Sequence, residues 1–212
     1  YKGMFYNLFL LVGIGGDAYK IIALKNSGNT YKQLTTATLL DRVNGLVILL
    51  LIISLLTAFV VVPGFEKFLS LLPYFVLIGL PCYILIIYYY FKPFSKILPI
   101  TGFLSLLVQG FQLFSFYCII YALQIDAGSF VQYAVLFFVS SIIAALPFSI
   151  GGIGTRELAM ATGAAYLTLS AAKMVSASLV FFVLTAISAL AGWAISSAGL
   201  KKRGESSLKT SE

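Results

Sequence analysis

The chain has 212 residues, 60% of them hydrophobic and only 10% charged, with a net charge of +7 and a mean hydropathy of +1.02. A soluble domain carries about 25% charged residues, so this composition excludes a soluble enzyme or a nucleic-acid-binding domain and describes an all-α polytopic membrane protein. There is no histidine, and Cys82 and Cys118 stand in apolar runs without metal or redox spacing, so no metal, cofactor or catalytic residue is assigned and both cysteines are expected as small buried hydrophobes.

The chain begins at Tyr1 without a charged-then-apolar signal pattern and is expected to continue from upstream helices. The short apolar stretch from Met4 to Gly16 breaks at "VGIGGD", and residues 4–24 are read as a re-entrant hairpin. A crossing helix needs about 20 mostly apolar residues, and residues 39–62, 69–91, 100–125 and 174–200 meet that standard. "LLDRVNG" opens the first of these spans, and its Asp41 and Arg42 read either as interfacial anchors or as supporting contacts to a lipid headgroup. Tyr88, Tyr89, Tyr90 and Phe91 beside Lys92 suit an interface anchor at the end of the second span. Asp126 reads as a turn residue after the third. The apolar stretch from Phe130 to Pro147 then runs into "LPFSIGGIGTRE", through which no ordinary helix continues, because proline removes a backbone donor and each glycine costs about 1 kcal/mol in a helix. In the last span Ser188, Gly192 and Ser196 have the spacing of close helix packing, and residues 201–212, with "KKR", form a cytoplasmic tail.

Charge decides how the broken segments are counted. If residues 130–167 enter, turn at the glycines and return, then Lys20, Lys25, Lys32, Arg42, Lys92, Lys96, Lys201, Lys202, Arg203 and Lys209 share the inner face. Only Lys67 and Lys173 then lie outside, with Arg156 within the membrane. A full crossing at 130–147 scatters the same charges, so the positive-inside rule prefers a re-entrant hairpin and places the C-terminus inside the cytoplasmic membrane.

"IGGDAYK" at 14–20 aligns without gaps on "IGGIGTR" at 150–156, with a basic residue at the same offset. Three spans separate the copies, which makes the architecture an inverted-repeat helical bundle with two Gly-interrupted re-entrant hairpins. Gly151, Gly152 and Gly154 leave backbone amides uncovered before a helix that starts near Thr155, a ready site for an anion such as a lipid phosphate. Arg156 offers a permanently charged fork to phosphate oxygens, and Glu157 an acceptor for an amine or hydroxyl. Gly15, Gly16, Asp17 and Lys20 form the similar set of the first half. The alternative is structural: Arg156 and Glu157 pair with Asp17, Asp41 or Arg42 and lock the bundle together.

"PFSIGGIGTRE", with "GIGGDAYKIIALKNSG" and "LLDRVNGLVILL", resembles the flippase-like transmembrane domain of the lysylphosphatidylglycerol synthase/flippase family, the multiple peptide resistance factors, over residues 1–200. The resemblance implies a multi-pass protein that moves an aminoacylated or glycosylated lipid between leaflets. Its implied partners are anionic or aminoacylated phospholipids or a lipid-linked sugar, with a homo-oligomer or a synthase as protein partner, and no nucleic acid. Two features depart from the family pattern: Val12-Gly13 stands where a proline is expected, and Lys20 where arginine is usual. Residues 1–212 contain no aminoacyl-transferase domain, so lipid synthesis is not expected of these residues. A transporter is therefore expected rather than an enzyme, the rival being a membrane-embedded accessory subunit or a lipid-modifying enzyme with Glu157 or Asp17 as acid/base.

Overall fold

The computed structural model describes residues 15–25, 30–125, 130–145 and 154–209, and over 191–209 the course of the backbone alone. Eight helices run along these residues: α1 Gly15–Lys25, α2 Tyr31–Thr57, α3 Glu66–Tyr90, α4 Lys92–Ser95, α5 Leu98–Ala122, α6 Phe130–Ala145, α7 Thr155–Tyr166 and α8 Ala171–Lys209. No strand occurs among the described residues. Among the described residues, four segments are long and apolar enough to cross a membrane: α2, α3, α5 and residues Ala171–Leu190 of α8.

The bounds of α2 show where hydropathy and helix part company. The helix begins at Tyr31, eight residues before the apolar run, because Thr30 and Gln33 form a capping box. Gln33 N donates to Thr30 Oγ1 at 3.4 Å and Thr30 N donates to Gln33 Oε1 at 3.1 Å, so the first turn is satisfied without lipid. At the other end α2 stops at Thr57, short of the expected 62. The β-branched run Val60-Val61-Val62 leads into Pro63, and the residue before proline is driven out of the helical region. Gly64 then turns the chain with φ +82°, a value open to glycine.

α3 stays helical through Pro73 and Pro81 and buries only Ile87. Phe68, Leu71, Phe75, Leu77 and Ile78 are exposed along it, an apolar outer surface of the kind that suits lipid. Cys82 and Cys118 are exposed as well, which corrects their expected burial: each stands on the outer face of its helix, where lipid rather than protein supplies the apolar surroundings.

α6 is the reverse case. Its 16 residues extend about 24 Å, less than the roughly 30 Å hydrocarbon core. Yet residues 133–138, Ser140 and Ser141 are all buried, packed against α2 and α7 with α5 alongside. Phe116 of α5, Phe137 and Phe138 of α6, Met160 of α7 and Met174 of α8 form the fully enclosed centre. α7 meets α6 at Gly163, where a Cβ would lie 2.4 Å from Leu136 Cδ1 and the leucine tip would have to shift. Ser188, by contrast, is exposed and its hydroxyl donates to Leu184 O within its own helix, so the small-residue ladder is not a packing seam at that position. Gly192 and Ser196 have no described side-chain surroundings, and Asp126 and residues 1–14 lie outside the described residues.

Candidate functional site

α7 starts where the glycine-rich motif ends. Gly154 has φ +81° and precedes Thr155, the first helical residue, as the motif's spacing predicts. Glu157 stands at the third helical position and turns back: its Oε2 accepts the backbone N–H of Gly154 at 2.6 Å. The other oxygen, Oε1, accepts the hydroxyl of Ser178 on α8 at 3.1 Å. One carboxylate thus closes the N-terminus of α7 and ties it to α8, with its charge at the favourable end of the helix dipole. One amide expected to be open to an anion is occupied by this side chain.

Arg156 points to a different surface. Its Nη2 donates to Ser141 Oγ of α6 at 3.3 Å, while the Ser141 hydroxyl donates to Phe137 O at 2.8 Å. The guanidinium carbon lies 4.9 Å from the ring centroid of Phe181 and 5.5 Å from that of Phe137. Those rings meet edge to face at 5.3 Å, and Phe116 extends the group with a tilted contact to Phe137 at 4.7 Å. A cation over aromatic faces is held electrostatically, more strongly where water is scarce. Among the described residues no carboxylate oxygen lies within 4 Å of Arg156. A guanidinium has five N–H donors, and the one hydrogen bond to Ser141 leaves the fork largely uncommitted among those residues.

The N-terminal set is organised otherwise. Asp17 is buried, and Arg42 Nε of α2 donates to its Oδ2 at 2.5 Å. Lys20 Nζ lies 3.5 Å from Asp17 Oδ1 in the same helix. Asp17 is therefore partnered by Arg42 and Lys20 rather than by Arg156, and the pair fastens α1 to α2. Gly15 and Gly16 are the first two residues of α1, with Gly16 buried. Lys20 is the sixth residue of α1 and half exposed, whereas its aligned counterpart Arg156 is the second residue of α7 and rests on rings. Asp41 is exposed and lines a cavity described below. Gly151 and Gly152 lie outside the described residues.

The sequence reading did not single out Ser141, Ser178, Phe137 or Phe181. A readable signal existed for one of them: Ser140-Ser141 interrupts the apolar run of α6, and a hydroxyl at that depth needs a partner.

Fold and site together define an all-helical, multi-pass membrane protein with an arginine and a glutamate where a short helix begins inside the bundle. Residues 93–192, from α4 into α8, match the family model of the lysylphosphatidylglycerol synthase TM region, and this match supports membership of the chain in that transmembrane family. The matched segment contains Ser141, Arg156, Glu157 and Ser178 and leaves Asp17, Lys20 and Asp41 outside. It ties the chain to a membrane-lipid-related function. No curated protein and no solved structure matches the chain.

Proposed function

We propose that the chain is a flippase-type transporter that moves a phospholipid or lipid-linked headgroup across the cytoplasmic membrane, its C-terminus inside. The observation that carries this reading is Arg156: a cation held on two aromatic faces and one serine, without a carboxylate partner among the described residues, in a chain matched to a lipid-related family. Charges inside a membrane are costly and mark sites of function by default. A lipid phosphate would accept two parallel N–H bonds from the fork while the acyl chains remain in lipid. In this reading Glu157 sets the start of α7 and so positions Arg156, and it performs no chemical step. Gly151 and Gly152 add amides to the same anion, and Gly15, Gly16, Asp17 and Lys20 serve the opposing half with Asp41 and Arg42 in support.

The re-entrant arrangement is part of the proposal. An α6 shorter than the membrane, buried on most sides and packed along α7, supports a hairpin that enters and returns. The inner-face clustering of lysines and arginines supports the same topology. Two inverted halves would then alternate access, driven by a gradient or by a protein partner.

The test is leaflet exposure of a labelled anionic phospholipid in vesicles reconstituted with the native protein, Arg156→Ala or Arg156→Lys. Loss of movement is expected in the alanine variant, with partial retention in the lysine variant, which keeps the charge but not the fork. Movement at the native rate in Arg156→Ala would sink the assigned site. A new lipid product by mass spectrometry would instead support the enzyme reading.

A further inference from the structure

Away from Arg156, a cavity of about 190 Å³ lies among α2, α3, α4 and α5, with Asp41, Asn44, Tyr83 and Thr101 as its polar wall. Asn44 is only 4% exposed. Its Oδ1 accepts the hydroxyl of Tyr83 at 3.5 Å, and its Nδ2 has no hydrogen-bond partner among the described residues. A buried polar group left unpaired inside a membrane helix is costly, so a donor kept there signals an acceptor to be met. Asp41, one turn earlier on the same helix, has no cation within 4 Å among the described residues. Arg42 is not its partner: it reaches Asp17 on α1, around the helix from Asp41.

The polar wall of the cavity is rich in acceptors. The Thr101 hydroxyl donates to Ile97 O at 3.2 Å and to Leu98 O at 3.0 Å, which commits its proton and leaves its lone pairs. The Tyr83 hydroxyl is directed at Asn44 Oδ1 over a long 3.5 Å, again leaving its lone pairs. The wall therefore presents a carboxylate, two hydroxyl acceptors and one amide donor, and no lysine or arginine lines it. An ammonium with three N–H donors fits the acceptors, and a neighbouring oxygen on the same ligand fits the amide. An anion would meet the one amide but would also face the Asp41 carboxylate, which repels it. Lys20 stands on the wall of an adjoining cavity of about 170 Å³ that shares Asp41, and Asp17 engages it at 3.5 Å.

We infer that this cavity binds a primary ammonium group with a hydrogen-bond-accepting oxygen two carbons away, the chemistry of ethanolamine. The ligand is either a free amino alcohol or the headgroup of an ethanolamine phospholipid. The cavity is walled by Ile87 and Phe94, beside exposed Tyr88, Tyr89 and Tyr90, and aromatic residues of that kind gather at headgroup depth. The inference does not depend on transport, and the site is separate from Arg156.

Calorimetric titration of the purified full chain in detergent micelles tests it, with ethanolamine, short-chain phosphatidylethanolamine and short-chain phosphatidylglycerol as probes. Saturable binding of an amine probe is expected, weakened at least tenfold by Asp41→Asn and several-fold by Asn44→Leu. Binding of ethanolamine alone would assign a free amine, and binding of phosphatidylethanolamine without free ethanolamine would assign the headgroup. No saturable amine binding, equal binding of phosphatidylglycerol, or binding unchanged in Asp41→Asn would overturn the inference. Should that variant fail to fold, the native protein decides: the labelled Thr101 methyl resonance must shift on adding the amine probe, and a resonance that stays in place at saturating amine overturns the inference.

Discussion

If Glu157 is a helix cap that positions Arg156, then removing its carboxylate and removing its charge have different consequences. Glu157→Ala leaves the Gly154 N–H and the Ser178 hydroxyl without their acceptor, at the 2.6 Å and 3.1 Å contacts. Hydrogen bonds to a charged group contribute about 1.5–3 kcal/mol each, and a carboxylate at a helix N-terminus about 0.3–1 kcal/mol more. Gly154 is exposed and water replaces part of its loss, whereas Ser178 is fully buried and finds no substitute. The alanine variant should therefore lose about 2–4 kcal/mol, on the order of 5–10 °C in the unfolding midpoint for a chain of this size. Glu157→Gln keeps one carbonyl oxygen for the Gly154 N–H, and the Ser178 hydroxyl can rotate to accept from the new amide, so the loss should be about 1 kcal/mol. Thermal unfolding in detergent micelles measures both. The result that refutes the reasoning is an alanine variant as stable as the native protein, or glutamine and alanine variants equally damaged.

Three further outcomes follow from particular contacts. Asp17 and Arg42 should show a coupling of about 1–2 kcal/mol in a double-mutant cycle of unfolding free energies, above the range of fully exposed pairs because Asp17 is 10% exposed against 38% for Arg42; coupling near zero would remove the pair as the fastener of α1. Gly163→Ala should lower stability by up to about 2 kcal/mol, because its Cβ would meet Leu136 Cδ1 at 2.4 Å and the buried leucine must shift at a cost above the helix-propensity gain, while Gly45→Ala, with nothing within 4 Å, should gain up to about 1 kcal/mol from that propensity. Both variants are read by the same melts, and a stabilised Gly163→Ala would show that α6 and α7 have room to give. Cysteines substituted for Gly128 and Ser170 should label with a membrane-impermeant reagent from the same, outer side under the re-entrant topology; labelling from opposite sides would overturn it.

Much of the architecture was readable from residue type. α2, α3, α5 and α8 announce themselves as long apolar runs, and Pro147 with the glycines announces a break before the helix that starts at Thr155. The early start of α2 was readable too, in Thr30 and Gln33, although a search for hydropathy passes over a cap. The site was legible only in part. Arg156 and Glu157 stand out as charges in an apolar chain, but the phosphate reading treated their partners as a ligand, whereas Glu157 is engaged by Gly154 and Ser178. Nothing in the motif points to Phe181, which stands 25 residues beyond Arg156 in α8.

By itself the sequence determined the class of protein, four helices among the described residues that are long and apolar enough to cross a membrane, and the place where a helix must break, because about 20 apolar residues and a proline act locally whatever surrounds them. Only the tertiary structure decided that the short α6 lies at the centre, that Asp17 belongs to Arg42, and that Arg156 rests on Phe137 and Phe181. The reason is rotation. A soluble helix declares its buried face by an apolar stripe, but a membrane helix is apolar all round, and lipid and protein compete for it on nearly equal terms. Which side of α6 meets Arg156, and which serine its guanidinium finds, follows from packing at Gly163 and the central phenylalanines, across helices that composition alone does not orient.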